Sequence, residues 1–561
     1  MEKTSKPLLW FPAMLLSVLS LMTAYAPRAA AQQAKVISNA FSNTATRFDV
    51  SPPLGSLVTP PPAAKSSHVA HAPRKPKQGQ GQGSTSQSAA VPTLIGAQVT
   101  ATQGLGFAGV DQVGDALDCP SVTGIFLVPP DTNAAVGDSQ VVQWVNICYA
   151  VFNKSNGALI AGPFAGTNFW KGFGGPCEAN DDGDVIIQWD KVNHRWLAAQ
   201  NVFNGPPFFT CVAVSQTADA NGSYFRYQFP QPGFPDYPKW GKKGNVYYQT
   251  QNNFGNGSSF VGVTVCAYQA NLMLNGNPGA QQVCIVDNSN GTLFDDSMLP
   301  ADDDSPAPSG PEVLLGAIDN FLPGDTHVYE FVFNVDFDKP GKSTLAGIDG
   351  SMPISVPAFA LAFCVSGGFL TTDCVPQPPT PSGADMLDTL GDRLMYRLAH
   401  LSDSNGIQHY VVTHNVNDSA GAVGARWYEF RAQGLGSTNL SLYQSGQTPA
   451  DGNFRWMGSA AMDKAGDIAL GYTRSSTTDF PSIYFSGQTA GDPPGTTESE
   501  VLIKQGGGSQ FNSFDRWGDY SSMALDGADS CTFWYTTEYY PADGSFAWAT
   551  WVASLKFPNC H

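Results

Sequence analysis

The chain has 561 residues, with 58 Gly, 41 Pro and 12% aromatic residues but only 14% charged ones. So little charge beside so much Gly excludes a helical bundle or coiled coil, and 42% hydrophobic residues exclude a wholly disordered chain. Charge is uneven: the first 95 residues hold nine Lys/Arg and two acids, and the remaining 466 hold 20 Lys/Arg against 45 acids. A folded part that acidic repels phosphate backbones, which sets nucleic acid aside as a partner.

The first predicted element is a leader. Lys3 and Lys6 precede an apolar run from Leu8 to about Ala26, and Ala29-Ala30-Ala31 stands before Gln32. This is the pattern of a cleaved secretory signal over residues 1–31. No Cys follows the run, so a lipoprotein anchor is excluded, and no later stretch is apolar enough to span a membrane. The expected location is secreted or extracytoplasmic. Residues 32–94, with Pro60-Pro61-Pro62, basic Arg74, Lys75 and Lys77, and a Gly/Gln/Ser run from Gly79 to Ser88, read as a solvated, disordered linker.

All ten cysteines lie beyond the leader: Cys119, Cys148, Cys177, Cys211, Cys266, Cys284, Cys364, Cys374, Cys531 and Cys560. An even number in an exported chain reads as disulfides. Spacing alone does not give connectivity; pairing neighbours in sequence closes loops of sensible size and is the working expectation. No C-x-x-C occurs, which argues against a zinc ribbon or a thioredoxin-like redox site.

From Asp131 onward, short alternating strands are punctuated by Gly, Asn and Asp. Groups of strands start near Asp131, Asp184, Asp236, Glu312, Gly391, Arg455 and Arg516. Units of roughly 50–80 residues with three or four strands each predict an all-β fold, a seven-bladed β-propeller over residues 95–561. Six or eight blades, or a pair of β-sandwiches, are the rivals. The last unit is a strand short, so an N-terminal strand, Leu94–Thr100 or Gly124–Val128, is expected to close the ring.

No H-E-x-x-H, G-x-S-x-G, Walker A or Rossmann signature is present. His409 and His414 sit five apart on a predicted strand and face opposite ways, which makes them poor co-ligands. Glu178, Asn180, Asp181, Asp182 and Asp184 surround Gly183. Closely spaced oxygens on a Gly turn suit Ca²⁺, so Glu178, Asp181, Asp182 and Asp184 are the candidate metal ligands. Asp302-Asp303-Asp304 is a second acidic run. Arg516-Trp517-Gly518-Asp519-Tyr520 opens the last unit, with Arg455-Trp456 in the matching place one unit earlier and Arg393 before that. Arginine offers a planar fork for carboxylate, and Trp and Tyr offer faces for a sugar ring. Arg393, Arg455, Trp456, Arg516, Trp517, Asp519 and Tyr520 are therefore the candidate ligand-binding residues, with Asp519 and Glu538 as candidate general acids or bases. Repeated Arg-Trp and Asp positions also serve to stitch neighbouring blades.

These segments carry a resemblance. Arg516–Met523, Asp526, Cys531–Tyr535 and Glu538–Tyr540 resemble the C-terminal signature of a family of uncharacterised exported bacterial β-propeller proteins, loosely described as sialidase-like. Pro130–Asn133, Gly137, Gln143–Asn146, Gly172–Cys177, Ser223–Tyr227 and Asp392–Arg397 resemble its N-terminal part, so the likeness covers about residues 120–560. The resemblance implies an exported propeller and transfers no activity. Sialidase Asp-boxes are not reproduced, since Ser215–Gly222 has the wrong spacing, and no F-R-I-P arginine occurs. The expected function is binding of an extracellular glycan or surface protein. The alternatives are a glycoside hydrolase or lyase in the central pocket and a structural envelope or matrix protein.

Overall fold

The computed structural model describes Met1 and residues 33–57, 66–69, 95–98, 101–255, 259–288, 295–306, 310–318, 325–366, 369–512 and 515–561. Apart from Met1, the expected leader lies outside the described residues. The unit from Ala34 to His561 is the subject below.

The chain is all-β and propeller-like. A first, four-stranded antiparallel sheet runs from Thr132 to Ala165. A second takes strands from Ile186 to Gln231, and a third from Phe234 to Asp287. A fourth, ten-stranded sheet spans Leu299 to Gln447, its two antiparallel halves joined where Ala301–Asp303 pairs in parallel with Leu398–His400. A fifth runs from Phe454 to Lys504 and a sixth from Ser522 to Lys556. The fourth group thus starts at Leu299, ahead of the Glu312 expected from sequence.

Each sheet is covered on both faces, and the two-residue strand period decides which neighbour a side chain meets. On the strand Arg195–Val202, Trp196, Ala198 and Val202 pack with Val142, Trp144 and Tyr149 of the first sheet. Leu197 and Ala199, between them, pack with Trp240, Tyr247 and Tyr268 of the third. Burying each large apolar side chain contributes about 1.5–3 kcal/mol.

The N-terminal segments depart from expectation. Residues 36–50 form three short strands instead of the disordered linker. Val36–Ile37 adds to the edge of the fourth sheet, Phe41–Thr44 to the third and Arg47–Val50 to the second. They are held by main-chain pairing, by Phe41 and Phe48 packed on the core, and by an ion pair in which buried Arg226 donates to both Asp49 carboxylate oxygens at 2.8 and 2.7 Å. Strands of two to four residues leave little periodic signal in the sequence. The strand that completes the sixth sheet is Thr102–Asp111, paired with Ala549–Lys556. Of the segments expected there, Ile125–Val128 pairs with Ser66–Val69, and Ile95–Gln98 with Thr497–Ser499. The completing strand is hard to see in sequence because Gly104, Gly106 and Gly109 stand where Ser554, Trp551, and Thr550 with Gln143 lie across it. A Cβ at Gly109 would fall 2.2 Å from Gln143 Oε1.

Four disulfides follow the sequential pairing: Cys177–Cys211, Cys266–Cys284, Cys364–Cys374 and Cys531–Cys560. The fifth expected pair is not bonded. Cys119 and Cys148 are buried free thiols in contact with each other. They sit in an apolar cluster with Val128, Val145 and Phe152. Burial pushes the Cys148 thiol well above its ordinary range, which suppresses the thiolate needed for disulfide exchange. Among the described residues no helix is long and apolar enough to cross a membrane.

Candidate functional site

The residues that lead into the first strands of several sheets converge at one end of the strands. Asp131 precedes Thr132–Val136, Asp184 precedes Ile186–Asp190, Arg393 precedes Leu394–Ser402 and Asp519 precedes Ser522–Leu525. Asp236, Tyr237 and Lys239 lie early in Phe234–Lys243. The backbone turns sharply there, with positive φ at Asp131 (49°), Asp184 (49°), Tyr237 (52°) and Gly518 (45°). Asp tolerates this region; for Tyr it is strain held by the surroundings. Gly183, beside Asp184, admits no side chain, because a Cβ would lie 1.9 Å from Asn146 Oδ1.

Asp519 is the hub. Its carboxylate is ion-paired with Arg516, and its backbone N–H donates to Asp131 Oδ1 at 2.7 Å. Asn146 donates to the other Asp131 oxygen at 3.1 Å. The Tyr237 N–H donates to Asp184 Oδ2 at 3.2 Å. One oxygen of each acid therefore ties its sheet to another: the first to the sixth, the second to the third. The Lys239 ammonium lies between two aromatic faces, 3.3 Å from the Tyr237 ring centre and 4.2 Å from that of Tyr520. The Arg393 guanidinium covers Tyr237 at 4.5 Å while pairing with Asp392. Arg393 and Asp392 form the partly exposed lip; Asp131, Lys239 and Glu538 form the buried floor.

Burial sets the protonation of this cluster. Desolvation, with repulsion from Asp519 and relief from Lys239, brings Asp184 up to about 6. Asp131, Asp236 and Glu538 are pushed well above their ordinary values, first by burial and then by neighbouring carboxylates. Burial also brings Lys239 down to about 7, against the pull of Asp184 and Asp519. Several polar atoms here are buried without a hydrogen-bond partner among the described residues: Asp236 Oδ1, Arg516 Nε and Glu538 Oε2. Native interiors rarely leave such atoms unpaired.

The structure thus brings together Arg393, Arg516, Asp519, Tyr520, Glu538 and Asp184. It separates the other residues named from sequence. Arg455 is consumed by Asp451 and Glu500. Trp456 and Trp517 are fully buried and pack on each other, with Trp517 also stacked on Tyr540, so neither presents a face to a sugar. The Ca²⁺ candidates point apart. Glu178 accepts from the Gly172 and Gly174 N–H groups, Asp181 from Thr167 and Asp182 from Phe203. No group of three or more His, Cys, Asp or Glu that could hold a metal occurs among the described residues. Of the second acidic run, Asp302 and Asp304 pair with Arg397, Asp304 also with Lys191, and Asp303 with His400. Asp131, Asp236, Tyr237 and Lys239 join the cluster unannounced. Asp131 and Asp236 already marked the starts of strand groups, and an acid recurring at that place was the available signal.

Beyond the cluster the space between the first strands is nearly filled. A cavity of about 30 Å³ remains, lined by Gln188, Lys191, Tyr396 and Arg397 among others. No protein-family model matches the chain, and no curated protein does. Among solved structures, an ulvan lyase is 11% identical over 80% of this chain and 92% of its own, with a TM-score of 0.36. Extracellular domains 1–2 of Drosophila Semaphorin 1b are 9% identical over 85% and 88%, with a TM-score of 0.34. A protein of unknown function from Dyadobacter fermentans DSM 18053 is 9% identical over 82% and 99%, with a TM-score of 0.31. Likeness this distant carries no ligand or chemistry to the present chain.

Proposed function

We propose that the chain is an exported seven-bladed propeller that binds an extracellular glycan at the cluster around Asp519. Seven blades follow when the ten-stranded sheet is divided at its parallel join. Closure by Thr102–Asp111 is supported by the first strands of successive blades touching in an order that returns from the last to the first. Four disulfides fit an oxidising, extracytoplasmic compartment, and residues 1–31 are proposed as the cleaved signal.

The observation that carries the ligand reading is the set of unpartnered buried atoms around Asp519 and Arg516, beneath the Asp392–Arg393 lip. Donors and acceptors are mixed there, as polyhydroxylated ligands require. The second reading, a hydrolase or lyase, is favoured by one specific feature. Burial pushes Asp236 and Glu538 toward the protonated form while Asp519 is paired with Arg516, which sets a potential proton donor beside a carboxylate.

A glycan array probed with the full exported chain, run beside a hydrolysis screen over sialosides, neutral glycosides and uronic-acid polysaccharides, separates the two. Binding that falls in Arg393→Gln, without turnover, supports the lectin reading. Turnover that disappears in Glu538→Gln or Asp519→Asn, with the fold intact by circular dichroism, replaces it with the enzyme. Neither binding nor turnover on any glycan overturns both and leaves a structural protein.

A further inference from the structure

A further cavity lies elsewhere. The strand Leu394–Ser402 starts beside Arg393 at the cluster and ends at Leu401 and Ser402, which line a groove of about 920 Å³. At about 3.3 Å per residue this places the groove roughly 25–30 Å away, at the opposite ends of the strands. Its walls come from the turns after Ser402 and Met462, the Thr489–Pro494 turn and the C-terminal residues Asn559–His561. The volume is that of a small-molecule or oligosaccharide site.

A single buried carboxylate organises one wall. Glu429, with no exposed side-chain surface, accepts from His409 Nδ1 at 2.8 Å, from Gln444 Nε2 at 2.7 Å and from Arg431 Nε. These bonds hold its carboxyl below the usual range despite burial. Arg431 is fixed a second time: its guanidinium stacks on the Tyr443 ring, 3.2 Å from the ring centre. Its two terminal nitrogens make no hydrogen bond among the described residues, and a quarter of the side chain is exposed. The result is a rigid, open two-donor fork. The His409 imidazole is buried beside it, its Nε2 3.6 Å from Asp403 Oδ2.

The other acids of the groove are occupied. Asp403 accepts from the Asn405 and Ile407 N–H groups, Asp492 from Thr489, and Asp304 pairs with Lys191 and Arg397. What the groove offers a ligand is therefore an arginine fork whose planar geometry matches an oxyanion bidentately, with the His409 imidazole in the same wall. We infer that this groove is a second ligand site, for a sugar unit carrying an oxyanion, a uronate carboxylate or a sulfate ester, gripped by Arg431. The inference stands on its own residues and does not need the cluster around Asp519 to bind anything.

Isothermal titration of the full exported chain with three oligosaccharide sets tests it: uronate-bearing, sulfated and neutral. One acidic set is expected to bind, and which one binds identifies the oxyanion. Arg431→Gln is expected to weaken that binding at least tenfold and Arg431→Lys to restore only part of it, since one charge-assisted pair carries a factor of that size. Tyr443→Ala, which leaves Glu429 and its three donors in place, is expected to weaken it several-fold and guards against misfolding of the arginine variant. Failure of both acidic sets to bind, neutral sugars binding equally well, or binding indifferent to Arg431→Gln would overturn the inference. Binding lost in Arg393→Gln but kept in Arg431→Gln would overturn it while leaving the cluster reading intact.

Discussion

Arg393 and Arg431 each pair with a carboxylate and lie over a tyrosine ring, in two regions that use the same residue types differently. Around Asp519 five acids and three cations from several sheets are enclosed, and the first strands that carry them are stitched by acid-to-backbone bonds. In the groove one carboxylate on a strand satisfies three donors from its own and the neighbouring strands, and an arginine keeps its outer edge free. Enclosure turns charge into a proton reservoir and a staple; a well-satisfied partner beside an open space turns it into a presented fork. Stability is therefore expected to depend on the cluster far more than on the groove.

The largest expected effect breaks the cluster. Arg516→Ala leaves Asp519 and Asp131 buried without their cation and is expected to cost about 3–5 kcal/mol in urea denaturation. Arg431→Ala leaves Glu429 its His409 and Gln444 donors and is expected to cost about 1–2 kcal/mol. Equal losses would erase the distinction.

The two regions should also differ in the sign of their pH dependence. Asp184 is raised to about 6 by burial, so its contribution is full below the unfolded value near 4 and is lost as pH rises through about 6. Asp184→Asn keeps an acceptor for the Tyr237 N–H and should flatten that loss, worth up to about 3 kcal/mol. Glu429 is held low, so its contribution is present above about pH 4.3 and is lost on acidification. Glu429→Gln should flatten the acid limb and leave the pH 4–6 limb unchanged. Melting temperatures from pH 3 to 8 read both.

The smallest expected effect sharpens the contrast from the groove side. Tyr443 is 48% exposed, so Tyr443→Ala should change stability by less than about 0.5 kcal/mol while it lowers affinity for acidic oligosaccharides.

Much of the fold was legible beforehand. Alternating strands with Gly, Asn and Asp turns announced an all-β chain, five of the seven marked starts lie within about six residues of a sheet's first strand, and Gly391 lies just before Leu394, where the second half of the ten-stranded sheet begins. Glu312 missed because Leu299–Asp303 is short and carries two acids, which read as a loop. The N-terminal strands escaped because they are edge strands of two to four residues, too short for their few apolar side chains to show a period. The candidate site was half legible. Arg516 and Asp519 were found because they adjoin each other in sequence. Lys239 sits in an unremarkable run, and only contact with Tyr237 and Tyr520 gives it a role. Trp456 and Trp517 were misjudged because sequence carries no sign of which face of a strand lies inside.

Composition and periodicity alone determined the all-β class; the cysteine pairing was a working expectation from order in the chain, met at four pairs and not at Cys119 and Cys148. Only the tertiary structure decided which charges meet. Asp131 and Asp519 are 388 residues apart and bonded, whereas Arg455, aligned with Arg516 by repeat, turned to Asp451 and Glu500. Long-range burial selects the partner of a charge, because an unpaired charge in the interior costs more than any local preference can offset.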